Sequence, residues 1–162
     1  MEEIKSTTQE EEDLAYMRRA LALAAQAGAQ DEVPVGALIL HRGEVIAEAS
    51  NTREASKCAT HHAEILAIEA ACRRLGGWRL PDCTLYVSLE PCPMCAGAIV
   101  NARIDRVVYA APDVRAGAFG SKVNLNDLDL NHKPKITAGV CCEESRSVLS
   151  AYFRAKRKKK SE

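Results

Sequence analysis

His62-Ala63-Glu64 and, further along the chain, Pro91-Cys92-Pro93-Met94-Cys95 are the two stretches that decide how this chain folds. Together they supply one imidazole, two thiols and one carboxylate. An imidazole and two thiolates are typical zinc ligands, and zinc with three protein ligands keeps a fourth position open for water, whereas a structural site takes a fourth protein ligand. The set predicts one zinc ion per chain, held by His62, Cys92 and Cys95, with Glu64 left to carry protons.

Both halves of this motif are predicted to lie at helix starts. Pro91 opens an apolar run, and because Cys92 and Cys95 are three residues apart they share a helix face and reach one metal. The positive end of the helix dipole favours thiolates at that position. Two residues along a regular helix turn through about 200°. His62 and Glu64 can therefore reach a common water only from a site beyond the helix end.

The cysteines allow two other interpretations. C-x-x-C in a reducing compartment also serves as a redox pair, although that interpretation gives His62 and Glu64 no role. A zinc ribbon would need a second metal-binding pair. Cys141-Cys142 is the only other close pair in the sequence, and adjacent side chains point apart.

Length and composition are typical of one compact enzyme domain. The chain has 162 residues, of which 47% are hydrophobic, and its 22 basic and 22 acidic residues balance. We expect a single domain over 1–162, with an acidic N-terminal extension over about 1–12 and a C-terminal helix over about 143–160 that ends in basic residues. No apolar run approaches the ~20 residues of a membrane span, so no membrane partner is expected. Seven cysteines, two of them needed as thiolates, favour the cytoplasm.

Alternating patterns predict an α/β fold. Strands are expected at 35–40, 44–48, 84–88, 106–110 and 135–137, with the first two forming a hairpin. Helices are expected before this hairpin, after His62, after Cys92 and at the C-terminus. Strands that alternate with helices pair in parallel, with helices on both faces. The prediction is a three-layer α/β/α fold around a mixed sheet of about five strands, with both motif segments at one sheet edge.

The sequence resembles the bacterial tRNA adenosine deaminases, within the cytidine deaminase-like superfamily, from about Leu14 to Arg157. H-x-E with P-C-x-x-C is the signature of zinc nucleobase deaminases. The segment 31–37, Asp-Glu-Val-Pro-Val-Gly-Ala, is similar to the one that enters the family's first strand and lines its base pocket with Val33 and Pro34. Asn51 falls where the family has an asparagine that reads the base. The stretch 90–98 also matches, as does the loop that contains Asp113 and Ser121.

This resemblance implies a zinc-dependent hydrolase that converts adenosine to inosine at the wobble position of a transfer RNA anticodon. Glu64 would move the protons, while the Ala63 N–H and the Asn51 amide hold the base and the loop of Asp113 and Ser121 binds substrate. The resemblance also implies that Phe153, Arg154 and Arg157 contact the anticodon stem-loop. The family's members act as dimers, so a homodimer is expected.

Three alternatives remain open. A deaminase of free cytidine, cytosine or guanine would share the zinc motif but would not need the basic end of the last helix. A non-catalytic RNA-binding subunit would normally lack the proton carrier. The basic end could also simply complement the helix dipole and keep the helix soluble. The sequence departs from the family at His61, Pro112 and Phe119, where other residues are usual.

Overall fold

The computed structural model describes residues 7–161, and five helices and five strands form its framework. The helices are α1 (Gln9–Ala29), α2 (Arg53–Ser56), α3 (Ala63–Leu75), α4 (Pro93–Ala102) and α5 (Cys142–Lys160). The strands are β1 (Gly36–His41), β2 (Glu44–Ser50), β3 (Cys83–Leu89), β4 (Arg106–Ala111) and β5 (Lys135–Ala138). A short 3₁₀ turn covers Leu125–Asp127. Each predicted strand is present, with its ends shifted by two residues or fewer.

The five strands form one mixed sheet in the order β2-β1-β3-β4-β5. β1 is antiparallel to both β2 and β3, whereas β3, β4 and β5 run parallel to one another. The predicted parallel pairing is therefore confirmed for the last three strands. The connection from β2 through α3 to β3 passes over β1, so β1 is the strand of the hairpin that pairs with β3.

Helices cover both faces of the sheet, which confirms the three-layer α/β/α prediction. On one face α3 and α4 pack through small and branched side chains such as Ala67, Ala71 and Ile99. On the other face α1 packs through Met17 and Leu21 on alternate strand residues, and the start of α5 joins this layer. Successive residues of a strand point to opposite faces, so each central strand contributes to both cores.

Helix α1 begins at Gln9, within the segment of about 1–12 that was predicted to be an acidic extension. Thr8 and Glu11 form a capping box, in which the Glu11 N–H donates to the Thr8 hydroxyl and the Thr8 N–H donates to the Glu11 carboxylate. Glu10, Glu11 and Glu12 are thus the first turn of α1, where acidic side chains complement the helix dipole. The first six residues of the expected extension lie outside the described residues.

The helix starts at the motif differ in one respect from the prediction. His62 and Cys92 are the N-cap residues of α3 and α4, both with extended backbone, and Pro93 rather than Pro91 occupies the first turn of α4. Proline suits this position because its ring fixes a helical φ and the missing N–H has no intrahelical partner there. Among residues 7–161, no helix is long and apolar enough to cross a membrane.

Candidate zinc centre and catalytic cleft

His62, Cys92 and Cys95 come together between the starts of α3 and α4. The His62 Nδ1 atom lies 3.7 Å from the Cys92 sulfur and 3.5 Å from the Cys95 sulfur, and all three ligand atoms lie within 4.8 Å of one another. Zinc with tetrahedral bonds of about 2.3 Å to sulfur and 2.0 Å to nitrogen places such atoms roughly 3.6 Å apart. The donor types and their spacing therefore fit zinc, and the set leaves one tetrahedral position for a non-protein ligand.

The two thiols of this group differ in acidity. The pKa of Cys92 is lowered to about 4, first because the Cys95 thiol donates to its sulfur and also because His62 lies beside it. The pKa of Cys95, as the donor in this pair, is raised. Because metal binding requires both sulfurs as thiolates, zinc uptake releases protons.

Glu64 is buried in the first turn of α3, with 4% of its surface exposed. Burial disfavours its charged form and raises its pKa to about 7. A carboxyl group that titrates near neutral pH can both accept and return a proton, which is what a general acid-base residue must do. His62 is the N-cap residue of α3 and not part of the regular helix, so its side chain and that of Glu64 can reach the same site despite their two-residue spacing.

A small cleft of about 180 Å³ opens beside this group. Its walls carry eleven residues: Val33, Val35, Asn51, Arg53, His62, Glu64, Leu89, Glu90, Cys92, Asp113 and Ala116. Pockets for drug-sized ligands measure roughly 300–1,000 Å³, so this cleft suits a smaller group such as one flipped base. Among the predicted substrate-binding residues, Val33, Asn51 and Asp113 line the cleft. Pro34, Ala63 and Ser121 do not.

Asn51 is held in place by backbone groups on either side. Its side-chain amide donates to the Val33 carbonyl at 3.2 Å, and its side-chain oxygen accepts from the Arg53 N–H at 3.1 Å. An asparagine amide has two N–H donors and two acceptor lone pairs, so one of each remains available to a ligand. Ala63 is the first residue of α3, and its N–H has no acceptor within the helix.

Ser121 is not a wall of the cleft. Its hydroxyl and its backbone N–H both donate to the carboxylate of Glu90. Asp113 and Ala116 of the same loop line the cleft, whereas Ser121 contacts Glu90. The sequence placed Ser121 in the correct loop but could not show which side of the loop faces the cleft.

Two grooves extend from the cleft along α5. The helix groove, of about 310 Å³, is reached past Asn51 and Arg53 and is lined on the α5 side by Tyr152, Phe153, Lys156, Arg157 and Lys160. The loop groove, of about 650 Å³, is reached past Asp113 and is lined on the α5 side by Leu149, Ser150, Phe153, Arg154 and Arg157. The three residues predicted to contact RNA thus lie next to the cleft and not on a remote surface.

Known proteins are similar to this chain over most of its length. The family model of the cytidine and deoxycytidylate deaminase zinc-binding region matches residues 10–111. The tRNA-specific adenosine deaminase of Bacillus subtilis is 47% identical over 92% of this chain and 93% of its own. The chain belongs to the tRNA-specific adenosine deaminases. That of Agrobacterium fabrum is 44% identical over 88% of this chain and 94% of its own.

Solved structures agree with this membership of the tRNA-specific adenosine deaminases. A structure from a study of A-to-I editing by tRNA:A34 deaminases at the wobble position has a TM-score of 0.81 and 43% identity, and covers 83% of this chain and 99% of its own. A guanine deaminase from Nitrosomonas europaea has a TM-score of 0.75 at 27% identity, and covers 86% of this chain and 83% of its own. The fold and the zinc cofactor predicted from the sequence are confirmed, while the roles of individual residues stay predictions.

Sequence reasoning missed three residues around the cleft of this tRNA-specific adenosine deaminase. Arg53 lines both the cleft and the helix groove. Glu32 is buried and accepts from the Glu54 N–H at 2.7 Å and the Ala55 N–H at 3.1 Å, which holds α2 beside Asn51. Glu90 holds the loop on the opposite wall. The sequence did contain a sign that Glu32 and Glu90 matter. Each is a charged residue next to apolar residues that are buried, and a buried charge needs a partner.

Proposed function

We propose that this protein hydrolytically deaminates adenosine to inosine at the wobble position of a transfer RNA anticodon. The observation that carries the proposal is the placement of buried Glu64 against the His62, Cys92 and Cys95 group, in a cleft that opens onto the basic side of α5. Relatives named tRNA-specific adenosine deaminases match nearly the whole chain, which supports the same reaction here.

In this mechanism His62, Cys92 and Cys95 hold zinc and Glu64 moves protons. When bound, zinc supplies a Lewis acid that makes water nucleophilic near neutral pH. The Glu64 carboxylate takes a proton from the attacking water and delivers protons to the purine ring nitrogen and to the departing amine. Water and adenosine are consumed, and inosine and ammonia are released. Burial of Glu64 keeps its pKa near 7, so that its carboxyl group is suited to both steps.

Asn51 and Ala63 orient the base in this proposal. The remaining amide donor and acceptor of Asn51 face a base edge, and its two backbone hydrogen bonds fix the amide before substrate arrives. The Ala63 N–H lies between the residue that holds zinc and the residue that moves protons. Bases in an anticodon loop are unpaired or easily splayed, so placing one in a small cleft costs little.

We propose that the anticodon stem-loop extends from the cleft across both grooves. Arg154 and Arg157 supply positive charge for phosphates, and the half-exposed ring of Phe153 supplies a face for stacking. Lys156 Nζ lies 3.4 Å from the Asp31 carboxylate, and the Tyr152 hydroxyl donates to the Asp31 carbonyl at 3.2 Å. These contacts hold α5 against the segment that carries Val33.

We also propose a homodimer that works in the cytoplasm. The family resemblance supports the dimer, and seven free cysteines, including the Cys92 and Cys95 pair, suit a reducing compartment. Light scattering at micromolar concentration should give twice the 17.6 kDa chain mass. A monomer mass at the concentration used for activity would contradict the dimer.

The structural likeness to a guanine deaminase makes deamination of a free base the second candidate. The test compares inosine formation in an anticodon hairpin with deamination of free adenosine, cytidine and guanine by the same zinc-loaded protein. We expect turnover of the hairpin and little turnover of the free compounds, because only the hairpin engages the grooves along α5. Equal or faster turnover of free guanine would move the chain to base deaminases.

A further inference from the structure

Glu90 is a buried carboxylate that the reaction itself does not use. Only 2% of its surface is exposed, and it lies between the end of β3 and the start of the zinc-binding segment. Buried carboxylates are costly unless hydrogen bonds compensate the lost hydration. The hydrogen-bond donors to the Glu90 carboxylate all come from one loop, the residues 112–121 that follow β4, which we call the β4 loop.

The hydrogen bonds to Glu90 span the whole β4 loop. One carboxylate oxygen accepts from the Asp113 N–H at 3.1 Å and from the Ser121 hydroxyl. The other accepts from the Phe119 N–H at 3.0 Å and from the Ser121 N–H at 3.2 Å. Both ends of the β4 loop are thereby tied to one side chain, and each oxygen has two donors.

The β4 loop forms one wall of the cleft and continues into the loop groove. Asp113 and Ala116 face the cleft, while Val114 and Arg115 face α5 across the loop groove. Gly117 packs so closely on Glu90 that a Cβ atom at this position would overlap the carboxylate. The wall that an RNA would meet is therefore held in position by a single carboxylate, whose residue lines the same cleft.

We propose that Glu90 is a positioning residue for the RNA substrate, which sets the β4 loop as a wall shared by the catalytic cleft and the loop groove. Glu90 also lines the cleft, but both oxygens of its carboxylate are occupied by donors from the loop, so it acts on the substrate through the loop and not by direct chemistry. This inference rests on the proposed function. A wall that contacts substrate before and during reaction contributes to binding in both states, so its displacement raises KM more than it lowers kcat.

The test measures kcat and KM on an anticodon hairpin for Glu90→Gln and Gly117→Ala, each first checked for zinc content. In Glu90→Gln, either orientation of the new amide turns its NH₂ group toward at least one backbone N–H, so the loop must move. We expect KM to rise about tenfold in both variants, with kcat within about threefold of wild type and zinc retained. Ser121→Ala removes one donor and should raise KM by about threefold.

Asp13→Asn is the matched control. It also alters a buried carboxylate with several donors, but Asp13 lies on α1 near the opposite end of β4. It should lower the melting temperature and leave KM unchanged. Wild-type KM in zinc-loaded Gly117→Ala and Ser121→Ala, or zinc loss from Glu90→Gln as its main defect, would overturn the inference. Wild-type protein that does not deaminate the hairpin would instead overturn the proposed function.

Discussion

At the scale of the residue, the backbone of His62 decides whether a zinc group can form. His62 has φ −69° and ψ 153°, outside helical geometry, while the next residue begins α3. The neighbouring His61 is turned away, and its Nδ1 lies 2.8 Å from the Ser56 hydroxyl. Only one of two adjacent imidazoles therefore faces Cys92 and Cys95.

Replacing a ligand should remove the metal. We expect Cys95→Ala to lose most of its zinc, because the two ligands that remain bind it far more weakly, whereas His61→Ala keeps about one zinc per chain. Metal content of purified, dialysed protein measures this directly. Zinc lost from His61→Ala and kept by Cys95→Ala would refute the ligand assignment.

Replacing Glu64, the proposed proton carrier, should separate the chemical step from binding. Glu64→Gln keeps the shape of the side chain but cannot carry a proton, so we expect normal zinc content and hairpin affinity with a rate at least ~10²-fold lower. Single-turnover inosine formation is the measurement. Glu69→Gln, an exposed position on the same helix, is the control and should react at the wild-type rate. A Glu64→Gln rate within tenfold of wild type would exclude this mechanism.

At the scale of the element, one buried ion pair ties α1 to the sheet. The Arg106 guanidinium on β4 donates to both oxygens of Asp13 at 2.8 and 2.6 Å, and the Tyr86 hydroxyl on β3 donates at 2.8 Å. Burial by itself would raise the pKa of Asp13, but these hydrogen bonds and the Arg106 charge outweigh it and hold the pKa below the usual value. The ion pair connects α1 to β4, and the Tyr86 hydrogen bond connects α1 to β3.

Breaking this pair should destabilise the fold in a pH-dependent way. We expect Arg106→Ala to lower the free energy of unfolding by about 3 kcal/mol at pH 7, because it leaves a buried carboxylate without its cation. A depressed carboxyl pKa stabilises the fold at pH values above the unfolded pKa of about 3.9, and this contribution is lost as pH falls through the folded value. Urea unfolding should show the difference from wild type shrinking below about pH 4.

The exposed pair of Arg42 and Asp82 provides the control. Its two atoms lie 2.9 Å apart, close to the distances in the buried pair, but both side chains are more than half exposed. Arg42→Ala should therefore cost less than about 1 kcal/mol. Equal losses for Arg42→Ala and Arg106→Ala would show that burial does not govern the strength of the Asp13 contact.

At the scale of the whole molecule, the sheet gathers the reactive residues at one end. The starts of α3 and α4, the end of β3 and the β4 loop meet there, and α5 returns from the last strand to border the same region. The net charge of the chain is zero, yet the last turn of α5 holds Arg157, Lys158, Lys159 and Lys160. Local charge next to the cleft therefore matters more than overall charge.

The salt dependence of RNA binding should identify which cations contact phosphates. Arg157 lines both grooves and Arg154 lines one, so we expect Arg157→Ala to weaken hairpin binding more than Arg154→Ala does. Each lost phosphate contact should reduce the slope of log affinity against log salt by roughly 0.7. Binding is measured in a Glu64→Ala background at several salt concentrations, so that turnover does not interfere.

Lys158→Ala is the matched variant for this experiment. It removes one positive charge from the same turn of α5, but Lys158 lines neither groove. Its slope should stay close to that of the parent protein. Slopes that do not distinguish Arg157→Ala from Lys158→Ala would mean that the helix end acts only through its general charge or its solubility.

Patterns local in sequence were sufficient for the elements and for each half of the zinc motif. Side-chain periodicity predicted all five strands, and the structure brings His62 together with Cys92 and Cys95, as the motif predicted. Pro93 rather than Pro91 occupies the first turn of α4, a shift of two residues at a helix boundary, where sequence patterns are least exact. The orientation of Ser121 depends on a contact with Glu90, which is distant in sequence. Arg53, Glu32 and Glu90 were missed because their partners are backbone groups or surfaces far along the chain.

The sequence by itself determined the reaction class, because each half of the motif is short and carries the residue types typical of a zinc deaminase. It also determined the layered fold, since alternating strands and amphipathic helices allow few arrangements. Only the tertiary structure decided the shape of the substrate site. Three features of this site join residues that are distant in sequence: β1 lies beside β3, α5 packs next to the cleft, and Glu90 binds the β4 loop. Packing and buried hydrogen bonds select among such contacts.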